Sequence, residues 1–162
     1  QEDNMVRATF LGNDLDKVEV LEPHSGEVIS VSSYGASVTL QYYDGDSATL
    51  DFDDDCEIII DDDEYDSLSE LSRGDRVEVL ENGAGGYDFK VMEQVTGTLA
   101  FDVDDNDEVY LKDDYQGWED YDLHGNVYVH DSGGSLSLRN LKKGDNVTIY
   151  LLNDLVYEIE LR

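Results

Sequence analysis

Cysteine is nearly absent from this chain. Cys56 stands alone among 162 residues, so no intrachain disulfide framework can hold the fold. Lysine and arginine are scarce, 10 against 40 aspartates and glutamates, which leaves a formal net charge of −30. Phosphate backbones are bound through stripes of basic side chains, so nucleic acid is excluded as a partner. An anionic membrane surface is excluded for the same reason. No apolar run reaches the length of a membrane-spanning helix, and no signal-peptide pattern appears. The first residue is Gln1 rather than Met, the expected mark of a processed terminus or of a segment within a longer polypeptide. The single proline, Pro23, falls where two units would join.

Acidic chains without apolar residues stay disordered, but 40% of this one is hydrophobic. Val, Ile, Leu, Phe and Tyr alternate with Asp and Glu, the period-two pattern of a sheet with one wet face. Residues 28–31, 38–42, 49–53, 57–60, 76–80 and 87–91 read as strands, followed by 109–111, 127–129, 147–151 and 157–161. In the third of these, Leu50 and Phe52 would point inward while Asp51 and Asp53 face water. Asp44-Gly45-Asp46, residues 82–86 and Ser132-Gly133-Gly134 punctuate them as turns. Aspartate outnumbers glutamate, 26 to 14, which suits turns and oxygen-ligand loops better than helices. The only helical signals are single turns, Ser67–Leu71 and Ser137–Leu141, each with a serine cap. Closely spaced short strands predict an all-β fold of small barrels or sandwiches, with the paired leucines plugging one end. Residues 113–122 read as longer and less regular.

The sequence also repeats. Ser67-Leu68-Ser69-Glu70-Leu71-Ser72-Arg73-Gly74-Asp75-Arg76-Val77 returns as Ser137-Leu138-Arg139-Asn140-Leu141-Lys142-Lys143-Gly144-Asp145-Asn146-Val147, every position displaced by 70. A shared SLxxLxxGDxV at one fixed offset marks duplication of a folding unit. Gly26-Glu27-Val28 and Gly97-Thr98-Leu99 open the two copies, and residues 58–61 correspond to the neighbourhood of 127–129. The expected organisation is a β unit over 26–94, a second over 97–162, and a preceding partial hairpin over 1–22. That hairpin resembles 147–161, with one insertion at Gly12. It reads as the closing hairpin of a preceding unit, or as a hairpin that contacts a neighbouring subunit by strand addition.

The succession G-x-V, acid-rich middle, SLxxLxxGDxV and final hairpin resembles the tandem small β-barrel repeats of bacterial cell-surface proteins of the S-layer and S-layer-homology-associated type. The resemblance implies an extracellular structural module without catalytic residues. Its partners would be copies of itself or neighbouring repeats of the same surface protein, with cell-wall or glycan contact and no membrane insertion.

Enzyme signals are weak. His24, His124 and His130 show no metal-ligand spacing. His24 beside Pro23 reads as a solvated linker residue and His130 as a surface residue at a strand end. Cys56 has no basic neighbour to activate it and reads as a buried structural thiol. No phosphate loop or nucleophile elbow occurs, so a non-catalytic protein is expected. Calcium is the cofactor that the acidic loops suit, because hard cations take six to eight oxygen ligands. The candidate ligands are Asp102, Asp104, Asn106 and Asp107, then Asp53 with Asp55 and Asp61 with Asp63; Asp113-Asp114 forms a further acidic loop. None is an EF-hand. Adaptation to high salt competes for the same charge, since at molar salt the Debye length shrinks to about 3 Å. A different reading places Tyr115, Trp118 and Tyr121 together as an aromatic platform for sugar rings.

Overall fold

The computed structural model describes residues 5–103, 108–113, 115 and 117–162. Among them the apolar–acidic alternation becomes fifteen strands and two 3-10 turns, an all-β fold as the pattern predicts. The chain divides into two compact units, 1–91 and 92–162.

In the first unit, β1 (Met5–Leu11) and β2 (Asp14–Leu21) form a two-stranded sheet of their own. Seven strands make the main sheet: β3 (His24–Ser32), β4 (Ser37–Tyr42), β5 (Ser47–Asp51), β6 (Glu57–Ile60), β7 (Asp63–Tyr65), β8 (Arg76–Glu81) and β9 (Tyr87–Val91). Their order is β5-β4-β3-β8-β9-β6-β7. All neighbours are antiparallel except β6 and β9, which run parallel. Val28, Val38, Leu40, Ile58, Val77, Val79 and Phe89 fill the core beneath. Arg7 of the hairpin pairs with Glu81 of β8.

The second unit contains β10 (Glu93–Thr98), β11 (Glu108–Lys112), β12 (Trp118–Asp131), β13 (Gly134–Ser135), β14 (Asn146–Leu152) and β15 (Leu155–Leu161). The order is β10-β14-β15-β12-β11, with β13 paired to β12. Again one neighbouring pair, β12 and β15, is parallel. An isolated bridge, Leu99↔Leu111, brings the segment after β10 against β11. Leu99, Val109, Leu111, Val129, Leu141, Val147, Ile149, Val156 and Ile159 form its core. One of the sheets curls into a half-barrel.

The two units share one plan. Strands β3-β8-β9-β6 match β10-β14-β15-β12 in order and direction, so the last hairpin of each unit is wedged between the unit's first strand and a parallel crossing strand. Gly26 faces Val77 as Gly97 faces Val147. The 3-10 turns, Leu68–Glu70 and Leu138–Asn140, drop Leu71 and Leu141 into the two cores. Gly74 and Gly144 then adopt left-handed backbone (φ +97° and +95°), where a Cβ is strained. Their N–H groups donate to Val28 O and Leu99 O at 2.8 and 3.0 Å, and those two residues donate back to Asp75 O and Asp145 O, both at 2.9 Å. The repeated Gly-Asp therefore stitches the chain following each 3-10 turn to the first strand, at Val28 within β3 and at Leu99 immediately after β10.

Several expectations change. Strand β12 is fourteen residues long and begins at Trp118, inside the region read as irregular, and β7 was not predicted. Strand β10 begins at Glu93, ahead of the expected opening at Gly97. His24 lies in β3 opposite Val79, with its ring 5.1 Å from Tyr42, and is no linker residue. The β1–β2 hairpin matches β14–β15 with no insertion: Leu11↔Asp14 corresponds to Leu152↔Leu155 and Val6↔Val20 to Val147↔Leu161.

Both first-strand glycines are held by crowding of different kinds. A Cβ on Gly26 would sit 2.3 Å from the carbonyl oxygen of Gln41, whereas the atoms nearest to one on Gly97 belong to the Leu111 side chain, the first at 3.0 Å. Gly26→Ala should lower stability by about 1–3 kcal/mol or more in urea unfolding, and Gly97→Ala by less than half as much, because a leucine side chain can shift and a carbonyl cannot.

Candidate functional site

Many aspartates serve the backbone. Asp44 Oδ1 accepts from Asp46 N at 2.9 Å, Asp53 Oδ1 from Asp55 N at 3.1 Å, and Asp131 Oδ1 from Gly133 N at 2.7 Å. Asp75 and Asp145 each accept from the N–H three residues earlier, Ser72 and Lys142, at 2.7 and 2.8 Å. Short acidic side chains of this kind close turns by mimicking a backbone acceptor. That accounts for the Asp of SLxxLxxGD and for part of the excess of Asp over Glu.

The predicted calcium ligands divide accordingly. Asp102 accepts from Lys143 N at 2.8 Å, and its other oxygen lies 3.4 Å from Lys142 Nζ. The backbone hydrogen bond from Lys143 and the charge of Lys142 hold its carboxyl below the usual range. Asp104, Asn106 and Asp107 lie outside the described residues, as does Asp114. Asp53 closes its own turn, and Asp55 is exposed with its carbonyl accepting from Asn82. Asp61 occupies a two-residue turn with Asp62, both at positive φ, and Asp63 begins β7. Asp113 Oδ1 receives the N–H groups of Tyr115 and Gly117 at 2.8 and 2.6 Å. Among the described residues, no three His, Cys, Asp or Glu side chains converge on a common metal position.

Trp118 and Tyr121, expected together with Tyr115 in an aromatic platform, lie on opposite faces of β12, because successive residues of a strand point to opposite sides. Tyr121 packs against the core, and burial together with a hydrogen bond to Glu119 pushes its hydroxyl up to about 12. Tyr115 is 93% exposed. Trp118, half-exposed, instead meets Phe101 edge-on at 5.1 Å, and Phe101 meets Tyr110 edge-on at 5.5 Å. Tyr110 donates to Glu108. A groove of about 430 Å³ is lined by Phe101, Trp118, Lys112, Lys143 and Asp113. Phe101, Lys112 and Lys143 were missed in the sequence; they lie far apart along the chain and no motif links them.

His130 is also no simple surface residue. It sits near the end of β12, and its Nε2 lies 2.8 Å from Oε1 of Glu158, a carboxylate 1% exposed in β15. The imidazole stacks on Tyr128 at 5.0 Å. Hydrogen bonding to Glu158 raises the His130 pKa against the opposing effect of burial, with further help from Asp131 and Glu160. Cys56 is buried, as expected; its Sγ lies 3.4 Å from Asp53 Oδ1, and burial pushes the thiol up.

No protein-family model and no curated protein sequence matches this chain.

The His130–Glu158 pair gives the second unit a pH dependence of known sign. A histidine whose folded pKa exceeds its unfolded value near 6.5 contributes fully below that value and loses its contribution as pH rises through the folded pKa. Thermal melts followed through second-unit amides should therefore show stability falling from pH 6 towards pH 9, and His130→Gln should flatten that fall. His130→Ala should cost about 1.5–3 kcal/mol at pH 6. Equal pH profiles for wild type and His130→Gln would refute the assignment.

Proposed function

We propose that this chain is a structural, non-catalytic module of an extracellular surface layer, filament or envelope protein. It assembles through strand edges and through acidic surfaces whose repulsion is neutralised by cations. The observation that carries this reading is the duplicated plan. The same strand order occurs twice in series, with the same Gly-Asp stitching between turn and first strand. Serial units of this kind act as spacers whose length scales with unit number. The net charge of −30 makes close approach of two such surfaces unfavourable at low salt and tolerable once cations intervene.

Calcium is the proposed cation, held at the 102–107 segment or shared between facing acidic surfaces. Light scattering and electron microscopy should show assembly at sub-millimolar calcium, reversal by EDTA, and no equivalent effect of sodium chloride at the same ionic strength. A response to bulk salt alone would point to high-salt adaptation and remove calcium from the reading.

A carbohydrate-binding surface module is the second reading, and the Trp118–Phe101 groove favours it. The half-exposed indole offers an apolar ring face, with Lys112, Lys143 and Asp113 placed to hydrogen-bond hydroxyls. Glycan-array binding abolished by Trp118→Ala, with the melting temperature unchanged, would establish it. No glycan signal from the wild-type protein would dismiss it.

A further inference from the structure

The β1–β2 hairpin reproduces β14–β15 in register and irregularity. In each, a two-residue turn is followed by a bulge at the same place: Asp16 is skipped between Phe10↔Leu15 and Thr9↔Lys17, as Tyr157 is skipped between Leu151↔Val156 and Tyr150↔Glu158. This common bulge puts Val6, Ala8, Phe10, Leu15, Val18 and Val20 on one face. Their counterparts are Val147, Ile149, Leu151, Val156, Ile159 and Leu161, which pack in the core of the second unit. The environments differ sharply. Phe10 is 60% exposed against 5% for Leu151, and Val18 54% against 0% for Ile159.

What covers such a face is visible in the second unit. Strand β10 pairs antiparallel with β14, β12 pairs parallel with β15, and Leu141 comes from the 3-10 turn to pack in the same cluster. Position in the chain agrees. The closing hairpin β8–β9 leads across one residue into β10, the first strand of the next unit, and β1–β2 leads across two residues into β3. We propose that the apolar face of β1–β2 is a docking surface for the body of a further unit, a polypeptide with the architecture of residues 93–145 that has no closing hairpin of its own. Its first strand would lie antiparallel to β1, with a glycine opposite Val6, as Gly26 faces Val77 and Gly97 faces Val147. Its crossing strand would run parallel to β2. A second copy of this chain is not the occupant, because both of its bodies already hold their hairpins. The proposal rests on the reading of the chain as serially joined units.

One position tests the docking geometry specifically. Lys17 stands where β15 has Glu158, the partner of His130. A body taken from the second unit would therefore meet a cation where its own hairpin supplies a carboxylate.

The experiment mixes the intact 162-residue protein with a polypeptide of residues 92–145 and reads complex formation by sedimentation and by amide hydrogen exchange. A 1:1 complex is expected, with β1 and β2 amides slowed by about a hundredfold or more. Val18→Asp in the intact protein should abolish the complex while leaving the melts of both units unchanged. Lys17→Glu should tighten it by about tenfold at pH 6, below the ordinary histidine pKa of about 6.5. Where the free polypeptide aggregates, the same residues fused ahead of residue 5 give the same exchange readout. Absence of a complex or of protection, a complex indifferent to Val18→Asp, or self-association of the intact protein through the hairpin would each overturn the proposal. Calcium-dependent assembly that survives such a failure would separate it from a failure of the structural reading.

Discussion

Everything in each unit depends on the seating of its final hairpin. Strands β8–β9 and β14–β15 occupy the middle of their sheets, and their inward residues, Val77, Val79 and Phe89 in one and Val147, Ile149, Val156 and Ile159 in the other, are buried at or near 0% exposure. Burying a side chain of this size is worth about 1.5–3 kcal/mol. A small domain with no disulfide has few other sources of stability. The parallel crossing strand and the leucine of the 3-10 turn matter because they complete the pocket into which that hairpin fits.

The acidity that dominates the composition has two structural roles. Part is local: aspartates at turns accept backbone N–H groups and replace bonds that the chain would otherwise give to water. The remainder faces solvent on the outer positions of strands, where alternation placed it. With 10 basic residues for 40 acidic ones, the chain cannot give each carboxylate a cation of its own, and the resulting self-repulsion disfavours compact states at low ionic strength. The fold tolerates this because its cores are continuous and because Glu158, the one deeply buried carboxylate among the described residues of the second unit, has an imidazole beside it.

Strands whose residues alternate cleanly were legible in the sequence. Leu50 between Asp51 and Thr49, or the run Arg76-Val77-Glu78-Val79, announces its buried side. The SLxxLxxGD turn was legible because repetition at one offset singled it out. The first part of strand β12 was not, since Glu119-Asp120-Tyr121-Asp122 carries little apolar signal and is held by pairing with β11, with β15 joining from Asp122 onward. Partners distant in sequence were equally invisible. Neither the meeting of Phe101 with Trp118 nor that of His130 with Glu158 leaves a trace in spacing. The calcium ligands were chosen by composition, and composition cannot distinguish a ligand from an aspartate closing its own turn, as Asp53 and Asp113 do.

The parallel pairing of β6 with β9 and of β12 with β15 carries a kinetic consequence. A parallel neighbour requires a long crossover, and the first strand of each unit also waits for the penultimate one, so both ladders close only across large sequence separations. During synthesis from the N-terminus, a unit stays incomplete until its very last residues emerge from the ribosome. Folding would then advance in discrete steps, one per unit, and the nascent chain would always trail an unfinished, sticky half-sheet behind its completed part.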